Sequence, residues 1–243
     1  MTKASKVAIC CGIALLFILV LDKVGYPVAA SYFLTTRDSA TARVAPKELT
    51  DLSVSTAKGT DMSYAGYAFS LPWTELDQVK DIDQNGLRFR AIRLHSGMQV
   101  NVFVMGAGTF FQSITGNDLW SNTFHEILGP NATDYDVYQS VYEITPGNFH
   151  HWTLSNRLRY RETLLYIHKS LLVSPSASSG IFRVHNDHFN GFQVGNPSSH
   201  ATPIEVRLFS EKDGVEFTFD KGNANRITQA EINRVIQTLH KVE

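Results

Sequence analysis

The chain has 243 residues, and its 22 Lys and Arg against 23 Asp and Glu give a formal net charge of −1. That balance argues against nucleic acid as a partner, since a nucleic-acid footprint needs a strongly basic face. The two cysteines, Cys10 and Cys11, stand side by side in an apolar run, so the rest of the chain has no disulfide framework, no thiolate metal site and no cysteine nucleophile.

Residues 7–21, VAICCGIALLFILVL, are 15 consecutive apolar or small residues behind Lys3 and Lys6, the pattern of a secretory leader. As a helix they span about 22 Å, short of the roughly 30 Å hydrocarbon core. Val28-Ala29-Ala30 before Ser31 offers small side chains to a signal peptidase. Asp22 and Lys23 follow the run at once, and a snorkelling Lys23 with Val24 to Ala30 would lengthen it to a tilted anchor. Residues 1–34 are read as a signal-anchor, a single transmembrane helix contacting the membrane through residues 7–30, with a periplasmic or secreted form cut near Ala30 as the alternative. In both cases the basic end stays inside and the remainder is extracytoplasmic.

Residues 35–61, rich in Ser, Thr and Ala with no sustained period, read as a polar linker. From residue 62 to 243 the patterns are those of one α+β domain. LRFRA at 87–91 sets Leu87, Phe89 and Ala91 against Arg88 and Arg90, and Met98, Val100, Val102 and Val104 share a face after His95-Ser96-Gly97, which predicts a hairpin. A second hairpin is predicted where Ile204, Val206 and Leu208 alternate with Glu205 and Arg207, turn through residues 211–214, and return as Val215, Phe217 and Phe219.

Between the hairpins, helical spacing groups Leu119, Trp120, Thr123, Phe124, Ile127 and Leu128 before Gly129-Pro130. It next groups Tyr135, Tyr138, Val141 and Tyr142 ahead of Pro146, then Leu158, Leu165, His168 and Leu172. A last helix opens on the capping box Thr228 to Glu231 and carries the stripe Ile232, Val235, Ile236 and Leu239. Hairpins flanking a helical middle do not repeat as βαβ, so the expected fold is an antiparallel sheet with helices packed on it, preceded by an N-terminal hydrophobic helix.

The densest chemistry is RVHNDHFNG, where His185 and His188 flank Asp187; with His150 and His151 folded nearby they would form a site for a zinc-type ion. A polar turn holding His and Asn without metal is the plainer alternative. His125-Glu126 lacks the second histidine of a zincin helix, since residue 129 is Gly. No Gly-x-Ser-x-Gly elbow and no dinucleotide fingerprint occurs; Gly106 and Gly108 are better placed to end a strand. Arg157, Arg159, Arg161 and Lys169 give the third helix a basic edge, facing either solvent or lipid phosphate. Asn131-Ala132-Thr133 fits a glycosylation acceptor.

YAFSLPW at 67–73, GFQVGNP at 191–197 and EINRVIQTLHK at 231–241 resemble the pattern of bacterial exported domains of unknown function whose layout is the α-β-α sandwich of the photosystem extrinsic subunit PsbP and its relatives. The resemblance implies a non-catalytic domain that binds a partner or supports an assembly, and it transfers no site residue. The expected function is thus a membrane-anchored or exported binding or scaffolding domain with a protein or lipid partner; the alternative is a metal-binding protein or metal-dependent enzyme built on His185 and His188.

Overall fold

The computed structural model describes residues 25–36, 40–84, 87–106, 118–199, 203–222 and 227–242. The apolar run at 7–21, the side chains of Leu119, Trp120 and Leu172, and Gly108 lie outside the described residues. In chain order the elements are α1 (Tyr26–Thr36), β1 (Lys47–Glu48), β2 (Thr60–Tyr64), β3 (Tyr67–Leu71), β4 (Leu76–Gln84), β5 (Leu87–Leu94), β6 (Gln99–Gly106), α2 (Asp118–Leu128), α3 (Asp134–Glu143) and α4 (Asn156–Leu172). There follow β7 (Ile181–His185), β8 (Asn190–Val194), β9 (Ile204–Phe209), β10 (Asp213–Asp220), α5 (Gln229–Thr238) and β11 (His240–Lys241).

Eight described strands form one sheet in the order β1-β7-β8-β9-β10-β6-β5-β4, and β11-β3-β2 form a second. Every pairing is antiparallel except the short β1 beside β7. The architecture is α+β. Alternation along each strand gives the large sheet two covered faces. One packs Val100, Val102, Ile204, Val206, Val215 and Phe217 against Phe69 of the small sheet and the stripe of α5. The other packs Phe192, Val194 and Phe209 against α2, α3 and α4.

Both expected hairpins form. β9 and β10 pair Val206 with Phe217 and Leu208 with Val215, all buried. In β5 the buried face is the opposite one to that expected: the strand continues to Leu94, and Ile92 and Leu94, fully or nearly buried, put Arg88 and Arg90 on the first-core side. Arg90 lies at the margin of that core, its guanidinium bridging Asp81 at 2.6 and 2.8 Å and sitting 4.7 Å over the Tyr64 ring. The capping box of α5 is complete, Thr228 and Glu231 each bonding the other's backbone N–H, and α3 has an equivalent box from Thr133 and Asp136.

The described part of the stretch read as a linker lies against the domain. Residues 47–48 form β1, Ser55 donates its backbone N–H to the Ala230 carbonyl at 2.9 Å, and buried Asn233 donates to the carbonyls of Asp51 and Ser53, each at 2.8 Å. These bonds satisfy backbone groups of the segment itself, two of them through the Asn233 side chain of α5, so it lies on the helix without contributing a core of its own.

Candidate functional site

The 185–188 turn joins β7 to β8, with His185 opposite Asn190. Asn186 organises it: the side-chain oxygen accepts from the N–H groups of His188 and Phe189 at 2.8 and 2.9 Å, and the amide nitrogen donates to the carbonyls of Ile236 and Leu239 at the end of α5. The turn is thereby pinned to a helix C-terminus, whose last carbonyls need donors. His185, Asp187 and His188 are exposed and open on surface hollows. His185 lines one of about 540 Å³ with Leu49, Leu52, Val54 and Ile236; His188 lines two more, of about 510 and 750 Å³.

His150 and His151 belong to another part of the molecule. His150 Nδ1 meets Glu162 Oε1 of α4 at 2.5 Å, and its backbone N–H donates to Glu162 Oε2 at 2.9 Å. His151 stacks on Tyr32 of α1, with centroids 3.9 Å apart and planes 10° from parallel, and packs on Phe149. The two histidine pairs are thus tied to different elements, and among the described residues no group of three or more His, Cys, Asp or Glu is placed to hold a metal ion.

The contacts of His151 form a clamp on α1. Ser31 Oγ donates to the Val28 carbonyl at 2.8 Å, which commits its single proton, so the 2.8 Å contact between Ser31 Oγ and His151 Nδ1 has the imidazole as donor. In that arrangement the histidine withdraws no proton from the serine, and the pair orients a helix without activating a nucleophile. Trp152 Nε1 donates to the Tyr32 hydroxyl at 3.2 Å, and Val28, Ser31 and Thr35, spaced on one helical face, are all buried.

The basic edge expected on α4 divides. Lys169 is fully buried, and its ammonium donates to the carbonyls of Val44, Tyr142 and Ile144 at 2.6 to 2.8 Å, closing the C-terminus of α3. Arg159 turns inward to the Thr153 carbonyl, while Arg157 and Arg161 stay exposed. His168 is buried, bonds the Leu164 carbonyl at 2.7 Å and sits edge-on to Phe124. Burial pushes its pKa down against that hydrogen bond.

A cluster not anticipated from the sequence lies under α3. Arg207, 6% exposed, donates from Nε to Glu216 at 3.0 Å, from one terminal nitrogen to Glu205 at 2.6 Å, and from the other to the Tyr142 hydroxyl at 2.6 Å, with its guanidinium carbon 5.5 Å from the Tyr138 ring centroid. Burial raises the Glu216 pKa and Arg207 pulls it back only in part. For Arg207 burial works against the charge, and Glu216, Tyr142 and Glu205 outweigh it. Burial also pushes the Tyr142 hydroxyl up to about 12. Glu205 and Arg207 alternate with the apolar residues of the hairpin, and the helices cover their face too; the register that sets Arg207 opposite Glu216 provides the pairing that burial demands.

Comparison of the chain with protein-family models, with curated proteins and with solved structures returned no match.

Proposed function

We propose that the chain is a membrane-tethered, extracytoplasmic binding or scaffolding domain that engages a protein partner at the hollow beside the 185–188 turn. The observation that carries the reading is the clamp on α1. The helix that begins five residues after the apolar run is buried along Val28, Ser31 and Thr35 and held by His151, so the domain stands directly on its anchor. Retention of the N-terminal segment accords with this, since cutting after Ala30 would remove Val28 and the carbonyl to which Ser31 donates. No described helix is long and apolar enough to cross a membrane; with Val28 docked on the domain, the anchoring role falls to residues 7–21 in place of the longer span to Ala30, the short run being accommodated by a thinned bilayer and snorkelling Lys6 and Lys23.

The partner surface is the hollow where Leu52 and Val54, 70% and 44% exposed, stand beside Arg183 and Glu48. Exposed apolar side chains rimmed by paired charges suit a protein segment better than a small polar ligand. A photo-crosslinking residue at position 52 or 54 of the full chain in its native membrane is expected to give a discrete heavier species that a crosslinker at the exposed Lys80 does not give. Identical labelling at all three positions would contradict the assignment.

A further inference from the structure

We infer that the surface formed by α1, the 152–154 loop and the start of α4 lies on the lipid headgroups of the membrane that holds residues 7–21, and that it favours anionic lipid. The inference rests on the anchoring proposed above and goes further, naming a second face and what that face touches.

Among the described residues, four of the six most exposed large apolar side chains lie around one joint. Trp152 and Leu154 are 71% and 77% exposed, Phe33 57% and Tyr160 51%. Trp152 is bonded to Tyr32 and meets it edge-on at 6.4 Å, Phe33 is the next residue on α1, and Leu154 immediately precedes Ser155, the N-cap of α4. Tryptophan and tyrosine, with an apolar ring and a polar atom, are the side chains that settle at the headgroup level. Arg157, Tyr160 and Arg161 follow at i, i+3 and i+4 on α4, one helical face, which sets two exposed cations beside the aromatics. That combination matches an anionic bilayer surface in charge as well as in polarity.

Chain length fixes the occupant. Leu21, the last residue of the apolar run, is separated from Tyr26, the first of α1, by Asp22, Lys23, Val24 and Gly25, a span that reaches at most about 18 Å when fully extended. With the run in the bilayer, α1 is confined near the interface. The clamp through Ser31, Tyr32 and His151 then carries the loop and the start of α4 with it.

The test uses the full chain with Cys10 and Cys11 changed to Ser, reconstituted into vesicles of phosphatidylcholine with or without phosphatidylglycerol, and an environment-sensitive fluorophore on Leu154→Cys or, as reference, on Lys80→Cys of β4. Lipids carrying a quencher near the headgroup should remove most of the emission at position 154 and leave position 80 unaffected, more completely with phosphatidylglycerol present. Arg157→Gln with Arg161→Gln should lower the ratio of docked to undocked domain by roughly fivefold for each charge lost. Co-flotation with both labels in an aqueous environment overturns the inference while leaving the anchor in place. Failure to co-float with either vesicle overturns the anchoring reading and this inference together, and quenching indifferent to the arginine changes overturns the preference for anionic lipid.

Discussion

Arg207→Ala is expected to destabilise the domain by about 3–5 kcal/mol, a drop in midpoint temperature of roughly 10 °C or more for a domain of this size. The substitution leaves Glu205 and Glu216 facing each other in the interior with no cation between them, and it strips the Tyr142 hydroxyl of its donor. The pH dependence identifies the cause. Glu216 already has a raised pKa in the fold, from burial foremost, and losing Arg207 raises it further. The folded state then binds protons more tightly than the unfolded one, so stability falls as pH rises above the ordinary carboxylate range and is regained below it. Thermal denaturation of Arg207→Ala and the parent at pH 7 and pH 4 should therefore show a deficit that shrinks in acid. The triple change Glu205→Leu, Arg207→Met, Glu216→Leu removes all the charges at once and should recover most of the loss.

Lys169→Met is expected to cost a similar amount, about 3–5 kcal/mol, by a different route. Methionine keeps the chain length and the packing but leaves the carbonyls of Val44, Tyr142 and Ile144 without the ammonium that serves all three, and each buried carbonyl without a donor costs about 1–3 kcal/mol. Carbonyls do not titrate, so this deficit should be the same at pH 4 and pH 7, in contrast to that of Arg207→Ala. Lys169→Arg should not rescue, because a planar guanidinium cannot direct three donors from the position of one compact ammonium. Denaturant unfolding at the two pH values distinguishes the two variants.

These two residues also mark where sequence reasoning stopped. A period of 2 or 3.6 reports one apolar face; it located the β9–β10 hairpin and the α5 stripe through the face they bury together, and it found β5 through the face opposite to the buried one. It set Glu205 and Arg207 on the face opposite the apolar one and Lys169 on a basic edge toward solvent or lipid, because a charge is ordinarily exposed. Nothing local announces that a second layer covers the other face and that cross-strand register and a helix end supply the partners. The β2–β3 hairpin escaped notice because its turn is Ala65-Gly66, with φ of +50° and +84°. Both positions are left-handed as a tight hairpin requires, but alanine in place of the usual asparagine or aspartate hides the signal. Strand β4 was missed for another reason. It is an edge strand, mostly exposed, and its Asp and Lys residues guard an open edge at the expense of any alternating pattern.

The candidate site was legible in part. The turn at 185–188 was located, and its exposure on several hollows follows from its place at a hairpin end. The expected convergence with His150 and His151 needed a long-range contact that composition cannot specify, and each of those histidines is engaged elsewhere, on Glu162 and on α1. The joint between α1 and the 149–153 loop had no sequence signal at all, since Ser31 and Tyr32 follow an apolar run and read as its tail.

Amide hydrogen exchange across residues 28–36, followed by mass spectrometry on the full chain in vesicles, reaches the heart of the account. If α1 is part of the domain, its amides should exchange far more slowly than an unstructured peptide, and His151→Ala should release that protection while leaving the α5 amides unchanged. Exchange of residues 28–36 at the free-peptide rate in the parent chain would mean that the helix is not clamped, and the domain would then hang from its anchor without a fixed face toward the membrane.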